Sequence, residues 1–372
     1  PELMVMEIIV FGHKGPIRKL RVDGIEIAGE ENEILERFAR LFCQRDPDVI
    51  VMDYAYSALP YLVSRLEVCG IAVPFHRWDL MSIKYREGKT QYSYGQVRYQ
   101  DQAIRLHGRF LVDNSTMTGS HAGVEGIMEL CQLCGIPFQT AASRSFGASF
   151  QYSLMRKMAE QGMLIPYKQK PIGPPMSLLD MVKADRSGHT LDPLIGFHTN
   201  VAELDFSSMY PWIMYNHNIS ADTILAKKGP FVDVPGIPVR ISHNHKGIVP
   251  LVIKPIIDRR MQHKLNARKS RSDALKWVLV TSYGYLRFRE FKLGLGHSHM
   301  AVGAYARKTL LDARDLAIEK GYSVVHGIID SLYVTKRGLN DTGVRGLCQE
   351  IEMQTGIPVS FEGRFKWMVF LS

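Results

Sequence analysis

No apolar stretch in these 372 residues approaches the roughly 18 that a membrane-spanning helix needs, so the sequence contains no transmembrane helix. Nor is there a basic segment ahead of the first apolar run, MVMEIIVFG, which Glu7 interrupts. That run reads as a first β-strand and not as a signal peptide. Cysteine is scarce. Cys43, Cys69, Cys131, Cys134 and Cys348 are odd in number and scattered, which excludes a disulfide framework and points to a reducing interior. Cys131 and Cys134 form a CxxC, but no Cys or His pair follows at zinc spacing. In the apolar MELCQLCGIP they read as small packing residues one helical turn apart. Internal repeats and low-complexity tracts are absent. Acidic residues are in deficit, 37 against 46 Lys plus Arg, for a net charge of +9. Such a surplus suits a polyanionic partner without specifying one.

What is present is an ordinary folded composition, 46% apolar and 22% charged, which excludes wholesale disorder. At roughly 150 residues per domain the chain makes two or three domains. The first 140 residues alternate strand and helix. MVMEIIVFG and IRKLRVDGIEI read as strands, ENEILERFARLFCQRD as a helix, DVIVMDYA as a strand and ALPYLVSRLEVCGI as a helix, an α/β layer with partly parallel strands. Residues 141–165 read as helical and run into the linker PYKQKPIGPP. Next, HTNVAELDFSSMYPWIMYNH is a strand, a turn and a Pro-led helix. Residues 255–287 carry two helical stretches around the charged ARKSRSD, and a long helix covers about 298–319. YSVVHGI and SLYVTK are tightly joined strands. The sequence stops inside the strand-like FKWMVFLS, which implies that the natural chain continues past Ser372 or that a partner completes this edge.

Two acids stand out. Asp205 ends the strand VAEL, and Asp330 occupies the turn between the strands GI and SLYV. Carboxylates at the ends of neighbouring strands can hold divalent ions about 3.5–4 Å apart, the arrangement that phosphoryl transfer uses. Either Asp alone reads first as a turn residue. Between them lie Arg259, Arg260, Lys264, Arg268, Lys269, Arg271 and Lys276. Arg260 and Lys264 share a helix face, which suits either a triphosphate or a solvated basic surface.

These segments resemble the family B DNA polymerases. DFSSMYPWIM at 205–214 is similar to that family's first polymerase motif, D-x-x-S-L-Y-P-S-I-I. KWVLVTSYGY at 276–285 is similar to the second, K-x-x-x-N-S-x-Y-G, and HGIIDSLYV at 326–334 to the third, Y-G-D-T-D-S. SGHTLDPLIGFHTN, with Gly188, Pro193, Gly196 and Asn200 in register, resembles the segment preceding the first motif. The resemblance covers 140–372 well and 1–140 more faintly.

The resemblance implies a multidomain chain of α/β and α+β class: an RNase H-like exonuclease-type domain (1–140), a connecting helix and linker (141–186), a palm (187–254 and 288–372) and short helical fingers (255–287), with no thumb. It implies Asp205 and Asp330 as catalytic metal-binding carboxylates assisted by the Phe206 carbonyl, with Mg²⁺ or Mn²⁺ as cofactor. Ser208, Met209, Arg260, Lys264 and Lys276 would bind the triphosphate. Tyr210 would lie under the sugar and exclude a 2′-OH. Gly188, Tyr283 and Gly284 would contact DNA, and Glu362 falls near a further family acid. The implied partners are primer-template DNA, deoxynucleotides, and a thumb segment or replication clamp. The implied location is cytoplasmic and nucleoid-associated, and the divergent archaeal branch with disrupted motifs is the nearest match. Ile328 replaces the third motif's first acid and His326 its Tyr. Val280 and Thr281 replace the Asn and Ser of the second motif, and Trp212 a small Ser.

In the N-terminal part, QRDPDVIVMDYAYSALPYLVSRL tracks the family's second exonuclease motif with Ala58 and Leu59 in place of its acid. The first strand offers only Glu7, and Asp113 in GRFLVDNS reads as a turn residue. A two-metal nuclease cannot hold its ions without carboxylates, so proofreading is expected to be absent. Two readings stand: a slow polymerase, and an impaired relative that binds DNA or a replication partner.

Overall fold

A computed structural model describes residues 3–12, 14–78, 84–86, 88–93, 96–100, 103–165, 171–186, 188–288 and 291–371. Residues 166–170 of the expected Pro-rich linker lie outside the described residues. The chain packs as two units, one of residues 1–149 with 263–275 and the other of 150–262 with 276–372.

The first unit is built on β1 (Val5–Val10), β2 (Lys19–Val22), β3 (Ile25–Ala28), α1 (Glu31–Arg45), β4 (Val49–Met52) and α2 (Ala55–Val68). The short strands β5 (Lys84–Arg86), β6 (Lys89–Ser93), β7 (Gln96–Gln100) and β8 (Ala103–Arg105) pair as β5–β8 and β6–β7. After them come β9 (Phe110–Asp113), α3 (Met117–Cys134) and α4 (Phe138–Ser143). The main sheet has the order β3-β2-β1-β4-β9, with β4 parallel to both β1 and β9. Asp23 and Gly24, both at positive φ, make the tight β2–β3 turn whose twist suits a hairpin. All four residues of β4 are buried, as expected of a strand inside a parallel layer. Phe38 and Phe42 of α1 and Leu59 and Leu62 of α2 fill the core beneath it.

The second unit continues with α5 (Phe146–Glu160), whose first turn belongs to the first unit, α6 (Leu178–Ala184), β10 (Thr190–Leu191), β11 (Gly196–Phe206), α7 (Met209–Asn216) and α8 (Ala221–Ile224). Then follow β12 (Phe231–Asp233), β13 (Arg240–Ser242), α9 (Ile248–Leu265), α10 (Lys269–Tyr285), α11 (Gly296–Glu319), β14 (Ser323–Ile328), β15 (Ser331–Thr335), α12 (Asp341–Thr355) and β16 (Val359–Phe370). Its sheet runs β10-β14-β15-β11-β16 and is antiparallel throughout. Helices α11 and α12 pack on it. Buried Leu204, Leu332 and Val334 face them, so polar residues alternate onto the other face.

Several boundaries differ from the sequence reading. The helical stretch read at 141–165 is two helices, because Arg144 is extended and breaks the ladder before Phe146. Pro211 does not lead its helix but is the third residue of α7, still within the first turn, where an N–H has no intrahelical partner to lose. Helix α9 begins at Ile248, ahead of the expected 255, and passes through Pro255. Ile253, Ile256 and Ile257, all buried, hold it on both sides of the lost hydrogen bond. The α9–α10 break falls at 266–268, with Ala267 left-handed, so most of the charged run belongs to the first turns of α10.

Segment 263–275 is fixed within the first unit by charge and close packing. The Glu129 carboxylate of α3, with no exposed surface, lies 3.0 Å from His263 and 3.5 Å from Arg271. Arg271 also donates to Glu125 at 2.6 Å. A Cβ on Gly126 would stand 2.8 Å from the Ser270 carbonyl oxygen and 2.9 Å from the Ala274 Cβ. Only a glycine lets α3 approach that closely. Cys131 and Cys134 lie in the same helix, the second fully buried.

Candidate active site

Strand β11 delivers Asp205 one residue before its end. The register places it opposite Ser331 of β15 on one side and Ser360 of β16 on the other. Ser331 in turn faces Ile328 of β14. Ile328, Ser331, Asp205 and Ser360 therefore form one cross-strand row. The next row on that face is His326, Tyr333, Glu203 and Gly363, because side chains alternate with a period of two. The row between them, Gly327, Leu332, Leu204 and Phe361, points to the opposite face.

Asp330 sits in the two-residue β14–β15 turn, and its carbonyl accepts the Phe206 N–H at 2.8 Å. The ends of both acid-bearing strands are thus tied by a backbone hydrogen bond. Ser207 N–H donates to the Pro358 carbonyl, fixing the same corner to β16. Ile329 occupies the left-handed region at φ 57, a strained conformation for a β-branched residue. It is backed by Gly188, where a Cβ would meet its side chain at 3.3 Å.

Among the described residues these carboxylates form no ion pair with a Lys, Arg or His. Asp205 accepts from Ser331 Oγ at 2.9 Å. Burial, followed by the charges of Asp330, Glu362 and Glu203, pushes its pKa up to about 6, against the lowering effect of Ser331. Burial likewise raises Asp330. Glu203 accepts from Tyr333 Oη at 2.8 Å, and burial together with that bond pushes the phenol to about 12. Strand β16 carries a bulge here. Leu204 pairs with Phe361 and Glu203 with Gly363, which leaves Glu362 as the extra residue. Bulges re-aim side chains, and Glu362 stands close enough to raise Asp205 while accepting from Ser360 Oγ at 2.6 Å.

Beyond Asp205 the chain turns through Ser208 at φ 57 into α7. Arg260 of α9 donates from Nη1 to Ser208 Oγ at 2.8 Å, fixing that turn. The first-turn N–H groups of α7, from Met209 onward, lack intrahelical acceptors and form a place for anions. The Tyr210 ring lies 4.4 Å from Tyr283 of α10, which stacks at 4.1 Å on His299. Burial, then the Asp330 charge, raises the Tyr210 phenol. A Cβ on Gly284 would meet nothing within 4 Å. Lys276 and Lys264 are exposed. Lys276 belongs to the second unit, and Lys264, one turn past Arg260 in α9, belongs to the first. The structure therefore brings together Asp205, Phe206, Asp330, Ser208, Arg260, Tyr210, Tyr283, Gly188 and Glu362.

Two features escaped the sequence reading. Glu203 lies two residues before Asp205, and that spacing on a strand was its available signal. Arg307 of α11 acts electrostatically on both Tyr210 and Tyr283.

In the first unit, Ala58 and Leu59 are buried core residues of α2. Asp113 ends β9, and its carboxylate accepts from the Ser115 N–H and hydroxyl, as a turn residue does. Among the described residues no three His, Cys, Asp or Glu side chains converge to hold one ion directly. No helix among them is long and apolar enough to cross a membrane.

Residues 136–355 match the family model of DNA polymerase family B. DNA polymerase 2 of Saccharolobus solfataricus is 31% identical over 251 residues, 68% of this chain and 38% of that protein. A DNA polymerase of Pyrococcus glycovorans is 23% identical over 86% of this chain and 49% of its own length. The solved family B DNA polymerase of the hyperthermophilic archaeon Pyrobaculum calidifontis superposes with a TM-score of 0.70 at 23% identity, over 100% of this chain and 58% of that one. The chain spans half or less of the length of these curated relatives.

Proposed function

The chain belongs to DNA polymerase family B, and on that premise we propose that it adds deoxynucleotides to a primer 3′ end by template-directed phosphoryl transfer. The observation that carries this reading is the pair Asp205 and Asp330. They stand at the tied ends of adjacent strands, half-buried, with no ion pair to any Lys, Arg or His among the described residues. Such a donor set fits a hard divalent cation, which takes carboxylate and carbonyl oxygens. Asp205, Asp330 and the Phe206 carbonyl would hold Mg²⁺ or Mn²⁺. When bound, the ions supply charge neutralisation at the attacking and leaving oxygens.

The chain's own residues do the positioning. Ser331 orients the Asp205 carboxylate. Arg260 fixes the Ser208 turn, presenting the N–H groups that begin α7 to phosphate oxygens. Lys276 and Lys264 are proposed as further phosphate contacts. Tyr210, braced by Tyr283, would stand as the wall against a ribose 2′-OH, and Tyr283, Gly284 and Gly188 as DNA contacts. Ile328, 39% exposed beside Asp330, removes an acid from the Asp205 row, so the reaction is proposed to be slow. Ala58 and Leu59 in the core of the first unit support a domain that does not proofread. Primer-template DNA and deoxynucleotides are the proposed partners, with a thumb segment or clamp beside them.

The alternative is a binding module that holds DNA and catalyses little. Ile328 and the exposed Val280 favour it. Primer extension with Mg²⁺ or Mn²⁺ tests both readings: the chain should extend a primer and Asp205→Asn should not. Retained DNA binding without extension under either metal would select the module.

A further inference from the structure

We propose that Glu203 is an additional carboxylate of this metal-binding face, held by Tyr333 and acting on the bound ions through their water shell. The proposal deepens the polymerase reading and rests on it.

Glu203 shares the solvent-facing side of β11 with Asp205, two residues away. Residues so spaced stand about 6.6–6.8 Å apart along a strand. With the Glu203 carboxylate held on Tyr333 Oη, a bound water would bridge it to an ion on Asp205. One carboxylate oxygen is fixed by Tyr333 Oη at 2.8 Å, and no Lys, Arg or His among the described residues pairs with Glu203. A carboxylate placed only to strengthen the sheet would more commonly face a cation across the strand.

The surroundings leave room for solvent and an ion. The cross-strand neighbour on β16 is Gly363, where an added Cβ would meet nothing within 4 Å. The bulge beside it brings Glu362 toward the same space. Asp205, Asp330, Glu203 and Glu362 carry four negative charges, which match two divalent ions. Ile328 leaves the Asp205 row without a second acid, and Glu203 supplies one from the adjacent row.

Mn²⁺ titration of the metal-free protein, by calorimetry and by the electron paramagnetic resonance of free Mn²⁺, tests this without relying on activity. Glu203→Gln keeps the hydrogen-bond acceptor and removes the charge. It should weaken Mn²⁺ binding about 10-fold, as outer-shell substitutions do, while the metal-free protein still unfolds cooperatively. Glu203→Asp should restore most of the affinity. Tyr333→Phe, which frees the carboxylate, should weaken binding less than Glu203→Gln. Wild-type affinity in Glu203→Gln, with binding lost in Asp205→Asn, overturns the role of Glu203 and leaves the polymerase reading standing. Wild-type affinity in Asp205→Asn overturns the metal-site premise itself. Should Glu203→Gln not fold, equal affinities of wild type, Glu203→Asp and Tyr333→Phe would likewise refute the proposal.

Discussion

Neutralising Asp205 should stabilise the metal-free fold at neutral pH. The carboxylate is half-buried among Asp330, Glu362 and Glu203, with only a serine hydroxyl in compensation, and its pKa rises from 3.8 to about 6. At 1.36 kcal/mol per unit, the full shift corresponds to about 3 kcal/mol, and solvent screening at a half-buried site reduces it to about 1–2 kcal/mol. The sign follows from linkage. A folded-state pKa above the unfolded value means that the protonated form favours folding. That contribution is fully present below about pH 4 and is lost as the pH rises through about 6. Asp205→Asn keeps the shape and the Ser331 hydrogen bond but cannot ionise. In chelator its unfolding midpoint should exceed that of wild type by about 2–8 °C near pH 7, as expected for about 1–2 kcal/mol in a unit of this size. The gap should close toward pH 4. Adding Mn²⁺ should raise the wild-type midpoint and leave the variant unmoved, because a ligand stabilises only the form that binds it. Differential scanning calorimetry across about pH 4–8 reads all three effects. A variant less stable than wild type at pH 7 in chelator, or a gap independent of pH, would refute the claim of an uncompensated acid cluster.

Glu129→Ala should destabilise the first unit by about 1–3 kcal/mol in urea denaturation, because it leaves the buried His263 without its carboxylate partner while Arg271 keeps Glu125; a loss below about 1 kcal/mol would show the cluster to be incidental. Ile329→Asn should stabilise the fold by about 1 kcal/mol, since Asn tolerates the left-handed region that strains Ile, and a lowered midpoint would count against strain at that turn. Tyr210→Ala should raise ribonucleotide incorporation more than it lowers deoxynucleotide incorporation; equal sugar selectivity in a folded, active variant would remove Tyr210 from the sugar site. No metal-dependent degradation of single-stranded DNA is expected from the chain, and degradation that survives Asp205→Ala would require a nuclease centre elsewhere.

The strand–turn–helix from Gly196 to Asn216 and the hairpin from Ser323 to Thr335 were legible because each has a dense local signal: alternating burial, a short turn and an acid at the strand end. The row that joins Asp205 to Ser331 and Ser360 was not. Cross-strand partners 126 and 155 residues apart in sequence are set by register, and a slip of one residue would turn every side chain to the other face. Glu203 was missed for the same reason. A Glu two residues before an Asp looks like ordinary solvent-facing alternation until Tyr333 and Gly363 are placed beside it. The β16 bulge that frees Glu362 depends on two strands at once and leaves no trace in either alone. Segment 263–275 reads as a basic helical hairpin, yet it belongs to the first unit through Glu129 and Gly126, more than 130 residues earlier.

The two turns that carry the acids share a further property. Each contains a non-glycine residue in the left-handed region, Ser208 after Asp205 and Ile329 before Asp330. Each such residue costs on the order of 1–3 kcal/mol, and the acids repel one another in a half-buried site. On the solvent-facing side the Ser331 and Tyr333 hydroxyls offset only part of this. The compensation lies on the opposite face of the same strands, where Leu204, Leu332 and Val334, all at 1% exposure or less, pack toward α11 and α12. Burying a side chain of this size contributes about 1.5–3 kcal/mol. The strands are thus anchored by one face so that the other can hold charges and strained turns that would not persist unaided. A substitution in the buried row should therefore loosen the acid row beside it, because one set of backbone hydrogen bonds serves both.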